Sequence, residues 1–231
     1  MTDRQVPYAE PQLADMPLVT RKKKRGGVAR RRGKLLLALH ERLRTLQDPV
    51  AIQTAAVQVL GEFLGCDWAN YAEYDDDYAH TIVRSEYLRD GAPSLAGRHR
   101  LESSGQFVAI QKAGRTIAVD DVHQSPLIPS ERRKLYEALP LGAFAGVPVV
   151  KDGRLVSTLF VSRKRPHVWT RQELRLIEET AEQTWAAVER AIAERDTRDS
   201  EVRLQLALDA TGLGTFVWPC LLYTSPSPRD S

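Results

Sequence analysis

The chain has 231 residues, 42% hydrophobic and 27% charged, enough apolar content for a sizeable core in one or two domains. Its net charge of +3 is uneven: nine cations and no acid fall in residues 21–34, RKKKRGGVARRRGK, which leaves −6 on the remainder. Two cysteines, Cys66 and Cys220, exclude a disulfide scaffold and a CxxC site, and no apolar run approaches the ~18 residues that span a bilayer.

No secretory signal pattern opens the chain, so a cytoplasmic protein is expected. Residues 1–20 are polar and aperiodic, which predicts disorder. A basic run such as 21–34 can bind nucleic acid or an anionic membrane surface. Here the pair Gly26-Gly27 interrupts it and no aromatic is interleaved for base stacking, so a solvated tail over 1–34 is expected and both partners are disfavoured.

Leu36, Leu39, Leu43 and Leu46 recur at spacings of three and four, which predicts an amphipathic helix over 35–46. Asp48 and Pro49 have the chemistry of N-cap and first helical residue of a second helix. Ile52, Ala56, Val59, Leu60 and Phe63 form its apolar face, and Gly65 ends it. His40 and the residues after it, HERLRTL, are similar to the phosphoacceptor box of histidine kinases. An extra arginine at position 42 and Leu46 in place of proline separate the two, and no ATP-binding motif follows. An ordinary exposed helix histidine is expected.

Residues 66–74 and 79–88 alternate as two antiparallel strands around Asp75-Asp76-Asp77. These aspartates lack the glycine and distant glutamate of a calcium loop and read as a polar turn. A loop over 90–97, a short helix over 106–112, a strand over 116–119 and another short helix over 130–139 follow. Two apolar runs then flank Lys151-Asp152-Gly153-Arg154, where Asp-Gly predicts a tight hairpin. Thr170 and Glu173 have capping-box spacing, with Trp169 and Leu174 at the staple positions. A helix over 171–198 carries Leu174, Ile177, Ala181, Trp185, Val188 and Ile192 on one stripe before the charged linker ERDTRDSE.

The stretch VPVVKDGRLVSTLFVSRKRPHVWTRQELRLIEETAEQTWAAVERA resembles the closing hairpin and exit helix of GAF domains, the small-molecule and signal-sensing modules of bacterial sensor proteins. It is most similar to those that precede PAS domains in histidine kinases. SEVRLQLALDATGLGTFVW resembles the start of a PAS domain and breaks off at CLLYTSPSPRDS, which looks like translated sequencing adaptor. The resemblance implies an α+β fold: a GAF-like antiparallel sheet with helices on both faces and a long C-terminal signalling helix. The expected organisation is a basic tail over 1–34, the sensor domain over 35–195, a linker and truncated PAS start over 196–219, and a non-native tail over 220–231.

In that family the segments matching 106–112, 116–119 and 130–139 wall a ligand pocket, which marks Phe107, Ile110, Val119, Phe144 and Phe160 as candidate pocket residues. Phytochrome-like members attach a bilin through a cysteine that this segment lacks, so no cofactor and no covalent bilin are expected. The reactive cysteines of GAF-type methionine sulfoxide reductases are also missing. Among His40, His80, His99, His123 and His167 no pair has metal-ligand spacing, so neither a metal nor a catalytic residue is assigned. The implied function is signal sensing in a two-component histidine kinase, with an unknown small-molecule ligand and a response regulator as partners. A homodimer through Leu36, Leu39, Leu43, Trp185, Val188 and Ile192 is expected. A cyclic-dinucleotide enzyme or a nucleic-acid adaptor is the alternative.

Overall fold

The computed structural model describes residues 18–89, 91–101, 105–128 and 139–211. The tail over 1–17, residues 130–138 of one expected helix, the expected PAS strand and the 220–231 tail lie outside the described residues. In chain order the elements are α1 (Leu18–Leu43), α2 (Pro49–Leu64), β1 (Trp68–Tyr74), β2 (His80–Leu88) and β3 (Gly97–Arg100). Then come α3 (Gly105–Lys112), β4 (Ile117–Val119), β5 (Ala143–Lys151), β6 (Arg154–Arg163) and α4 (Arg171–Thr211).

Local chemistry sets several of these boundaries. Asp48 caps α2, its carboxylate accepting from Ala51 N at 2.8 Å, with Pro49 at the first turn and Gly65 in the left-handed region at φ 60° as the C-cap. The β5–β6 hairpin turns through Asp152 and Gly153, at φ 49° and 74°, the positive values that a type I′ turn needs. At the start of α4, Glu173 N donates to Thr170 Oγ1 at 3.2 Å while Thr170 N donates to the Glu173 carboxylate at 3.0 Å. Both halves of the capping box are therefore made.

The six strands form one sheet in the order β3-β2-β1-β6-β5-β4, with every neighbouring pair antiparallel. One face carries the main core, where Ala69, Tyr71, Ala145, Leu159 and Val161 of the strands meet buried side chains of α1, α2 and α4. Strand alternation sends Phe144, Gly146, Thr158 and Phe160 to the opposite face, where α3 and the segment after β4 build a smaller core. The chain divides at Ala191 into two compact units. The second, from Ile192, is described by the continuation of α4 to Thr211, where Val202, Leu204 and Leu206 are exposed. No helix among the described residues is long and apolar enough to cross a membrane.

Several expectations change. Helix α1 begins at Leu18, so the described part of the basic run is helical backbone continuous with the leucine-rich segment. Strand β3, GRHR, has four exposed residues and no apolar alternation, and exists because residues 97–100 pair with β2. Helix α4 has 41 residues and runs through the expected linker without a break.

The dimer residues need a further correction. Leu39, Leu43 and Val188 are buried in the chain's own core, and Leu36 and Trp185 are half-buried; only Ile192, 43% exposed, is open. The reason is that α1 and α4 pack side by side within one chain. Arg32 pairs with Glu179 at 2.8 Å and Arg190 donates to Leu43 O at 3.2 Å, both across 147 residues. Equal offsets mean that the two helices run parallel, and the buried leucines of α1 and the buried stripe residues of α4 belong to one core within the chain.

Candidate functional site

All five residues singled out as pocket candidates come together on the α3 face. Val119 and Phe144 are buried with Ile117, Val122 and Ile128, and Phe107, Ile110 and Phe160 pack against them. The three phenylalanines enclose one another: Phe107–Phe144 ring centroids lie 5.7 Å apart, Phe144–Phe160 6.1 Å and Phe107–Phe160 6.3 Å. Such offset and edge contacts suit aromatic quadrupoles. Gly146, opposite Phe160 in the register, makes room for the Phe160 ring, since a Cβ there would sit 2.6 Å from it.

A polar group borders these rings. Tyr74 OH, at the end of β1, donates to Gln111 Oε1 at 2.6 Å and lies 3.1 Å from Thr158 Oγ1 on β6. Gln111 is 0% exposed, and its Nε2 has no hydrogen-bond partner among the described residues. At the rim, Tyr78 holds a positive φ of 58°, its ring 5.9 Å from Tyr74 and 3.5 Å from Lys112 Nζ. Tyr74, Gln111 and Thr158 escaped the sequence reading. Gln111 follows Phe107 by four positions on α3, and Thr158 precedes Phe160 by two on β6, so periodicity places each on the apolar face.

The acidic turn and Cys66 are tied into the fold. In the acidic turn, Asp75 accepts from His80 N and pairs with His80 Nδ1, both at 2.9 Å, while Arg154 holds Asp76 and Asp77 accepts from Ala79 N. The His80 backbone amide, above all, draws the Asp75 carboxyl down to about 2. Cys66 is fully buried, and burial pushes its thiol up to about 12. Among the described residues no group of three or more His, Cys, Asp or Glu is placed to hold a metal ion.

A family model described as GAF domain matches residues 48–188. No curated protein matches the chain. Among solved structures, the blue-light absorbing form of the Thermosynechococcus elongatus PixJ GAF domain is similar at TM-score 0.59 and 22% identity, covering 68% of this chain and 94% of its own. The phycocyanobilin-bound GAF domain from a cyanobacterial phytochrome reaches TM-score 0.63 at 17% identity, with 71% and 96% covered. The free methionine-R-sulfoxide reductase from Neisseria meningitidis reaches 0.58 at 18%, with 71% and 91% covered.

These likenesses correct one expectation, that of no cofactor and no covalent bilin. The matched solved structures include GAF domains bound to biliverdin, phycoerythrobilin and phycocyanobilin, so the fold is one that accommodates a bilin. The missing cysteine bears only on thioether attachment and does not exclude a held chromophore. The α3 face offers flat aromatic side chains and a lysine nearby, with the three rings packed on one another in this structure.

Proposed function

Because the chain belongs to the GAF domain family of signal-sensing modules, we propose that it is the ligand-sensing module of a two-component sensor histidine kinase. The observation that carries this reading is the double duty of β5 and β6. Phe144 and Phe160 point to the α3 face, while their neighbours Ala145, Leu159 and Val161 pack in the core that includes α4 residues Ile177, Ala181 and Val188. A ligand that spreads the phenylalanines therefore shifts the strands against which α4 is seated. Cores resist gradual deformation, so such a shift biases one helix arrangement over another.

Helix α4 then passes the signal toward a PAS and kinase output, with a response regulator as the final partner. The module works in the cytoplasm as a homodimer, joined through surfaces that the intrachain α1–α4 packing leaves open, Ile192 among them. A bilin is one occupant of the α3 face. Phe107, Phe144 and Phe160 would hold its conjugated plane, Gln111 would meet a carbonyl, and Lys112 is the cation at the rim for a carboxylate. When bound, it supplies absorption of visible light.

A fusion joining α4 in helical register to a histidine kinase catalytic region tests the reading. Biliverdin should change autophosphorylation several-fold, and Phe144→Ala with Phe160→Ala should remove the response. A fusion that binds biliverdin and keeps one unchanged rate rejects the signalling role. A fusion that leaves the biliverdin absorption band unaltered rejects the bilin as occupant.

A further inference from the structure

Gln111 is the one α3 side chain that brings an amide into the smaller core, and its two ends are treated differently. Its Oε1 accepts from Tyr74 OH at 2.6 Å, and that hydroxyl also lies 3.1 Å from Thr158 Oγ1. Its Nε2 is fully buried and has no partner among the described residues. Leaving a buried donor unpaired costs stability and is uncommon in folded proteins, so such a group calls for an explanation. The neighbourhood supplies a second observation. A Cβ on Gly146 would sit 3.2 Å from Nε2 and 2.6 Å from Phe160, so the glycine lets the amide end and the Phe160 ring pack side by side against β5.

Resting on the reading of the α3 face as the ligand site, we propose that Gln111 is its specificity-determining residue, donating from Nε2 to a carbonyl oxygen of a planar conjugated ligand seated among Phe107, Phe144 and Phe160. The class follows from the lining. Flat apolar rings select a flat conjugated body. A neutral amide donor selects an uncharged acceptor, and the Tyr74 and Thr158 hydroxyls hold it in place. Phe107, half-buried on α3, is the ring that must move for entry.

The probes are 9-fluorenone and fluorene, tricycles of the same size that differ in one carbonyl, tested on the full chain by equilibrium dialysis. Wild type should bind fluorenone roughly three- to tenfold more tightly, the range of one neutral hydrogen bond. Gln111→Met should erase that preference and keep fluorene binding. In wild type labelled at side-chain amides, fluorenone should shift the Gln111 NH2 resonances and fluorene should not, a readout that does not depend on a folded variant. Equal affinities with no Gln111 shift would overturn the assignment and leave the site reading standing. Binding of neither compound, or binding undisturbed by Phe144→Ala, would overturn both.

Discussion

Cys66 shows how position decides the chemistry of a residue. Its Sγ faces Gly61 O at 3.7 Å with no exposed surface, and burial holds the thiol at about 12. The thiolate is the reactive form, so a Cys220→Ser chain should not react with a disulfide reagent near neutral pH until it unfolds. Rapid native labelling, read by absorbance, would contradict the buried position. Phe144 makes a second case. Truncating this buried ring to alanine should cost about 3 kcal/mol, because cavity and lost contacts add. Urea denaturation measures it, and a loss below about 1 kcal/mol would mean that the aromatic cluster is not a core.

The start of α4 is where one element is tied to the rest. Glu173 accepts from Thr170 N and Oγ1, lies 3.0 Å from His167 Nε2, and is 3.6 Å from Arg163 Nη2. Arg163 also donates to the last carbonyls of α2, at Leu64 and Gly65. Burial alone would raise the Glu173 carboxyl; the Thr170 amide and hydroxyl and the nearby His167 outweigh it and hold the group below the usual glutamate range. A depressed folded value contributes stability that is fully present above the unfolded value and lost as pH falls through the folded one. The melting temperature of wild type should therefore exceed that of Glu173→Gln near neutrality, and the gap should close on acidification below about pH 4. A gap that widens in acid would have the sign wrong. Thr170→Ala should cost about 1 kcal/mol at neutral pH by removing the cap hydroxyl.

At the scale of the whole molecule, the parallel seating of α1 on α4 changes what a mutation in the signalling helix means. Val188 lies in the core and Ile192 does not. Val188→Glu should unfold the domain, since an unpaired buried charge costs several kcal/mol, whereas Ile192→Glu should shift its stability by less than about 0.5 kcal/mol. Circular dichroism melts of the two single variants decide between this picture and an intermolecular seam, in which Val188→Glu would stay folded. Limited trypsin digestion gives an independent view of the two units. Arg195, Arg198 and Arg203 are exposed on α4 beyond Ala191, so the first cuts should fall there and leave the sheet domain intact. First cuts within β5 or β6 would contradict the division.

The sequence by itself determined the pieces whose chemistry is local. Asp48-Pro49, Asp152-Gly153 and Thr170 with Glu173 act within four residues, through capping bonds and turn dihedrals that need no distant partner, and each is found as read. The GAF resemblance marked five residues as pocket candidates, and the structure gathers them in one apolar cluster on the α3 face. Tertiary structure decided the rest. Strand β3 pairs only because β2 offers it an edge, and four exposed residues carry no signal of that. Whether Val188 meets a second copy or the chain's own core depends on where helices 147 residues apart are seated. The hydrogen bond of Gln111 to Tyr74, with Thr158 beside it, joins a helix to two strands distant in the chain. Contacts between distant segments carry no local period, so only the folded chain could reveal them.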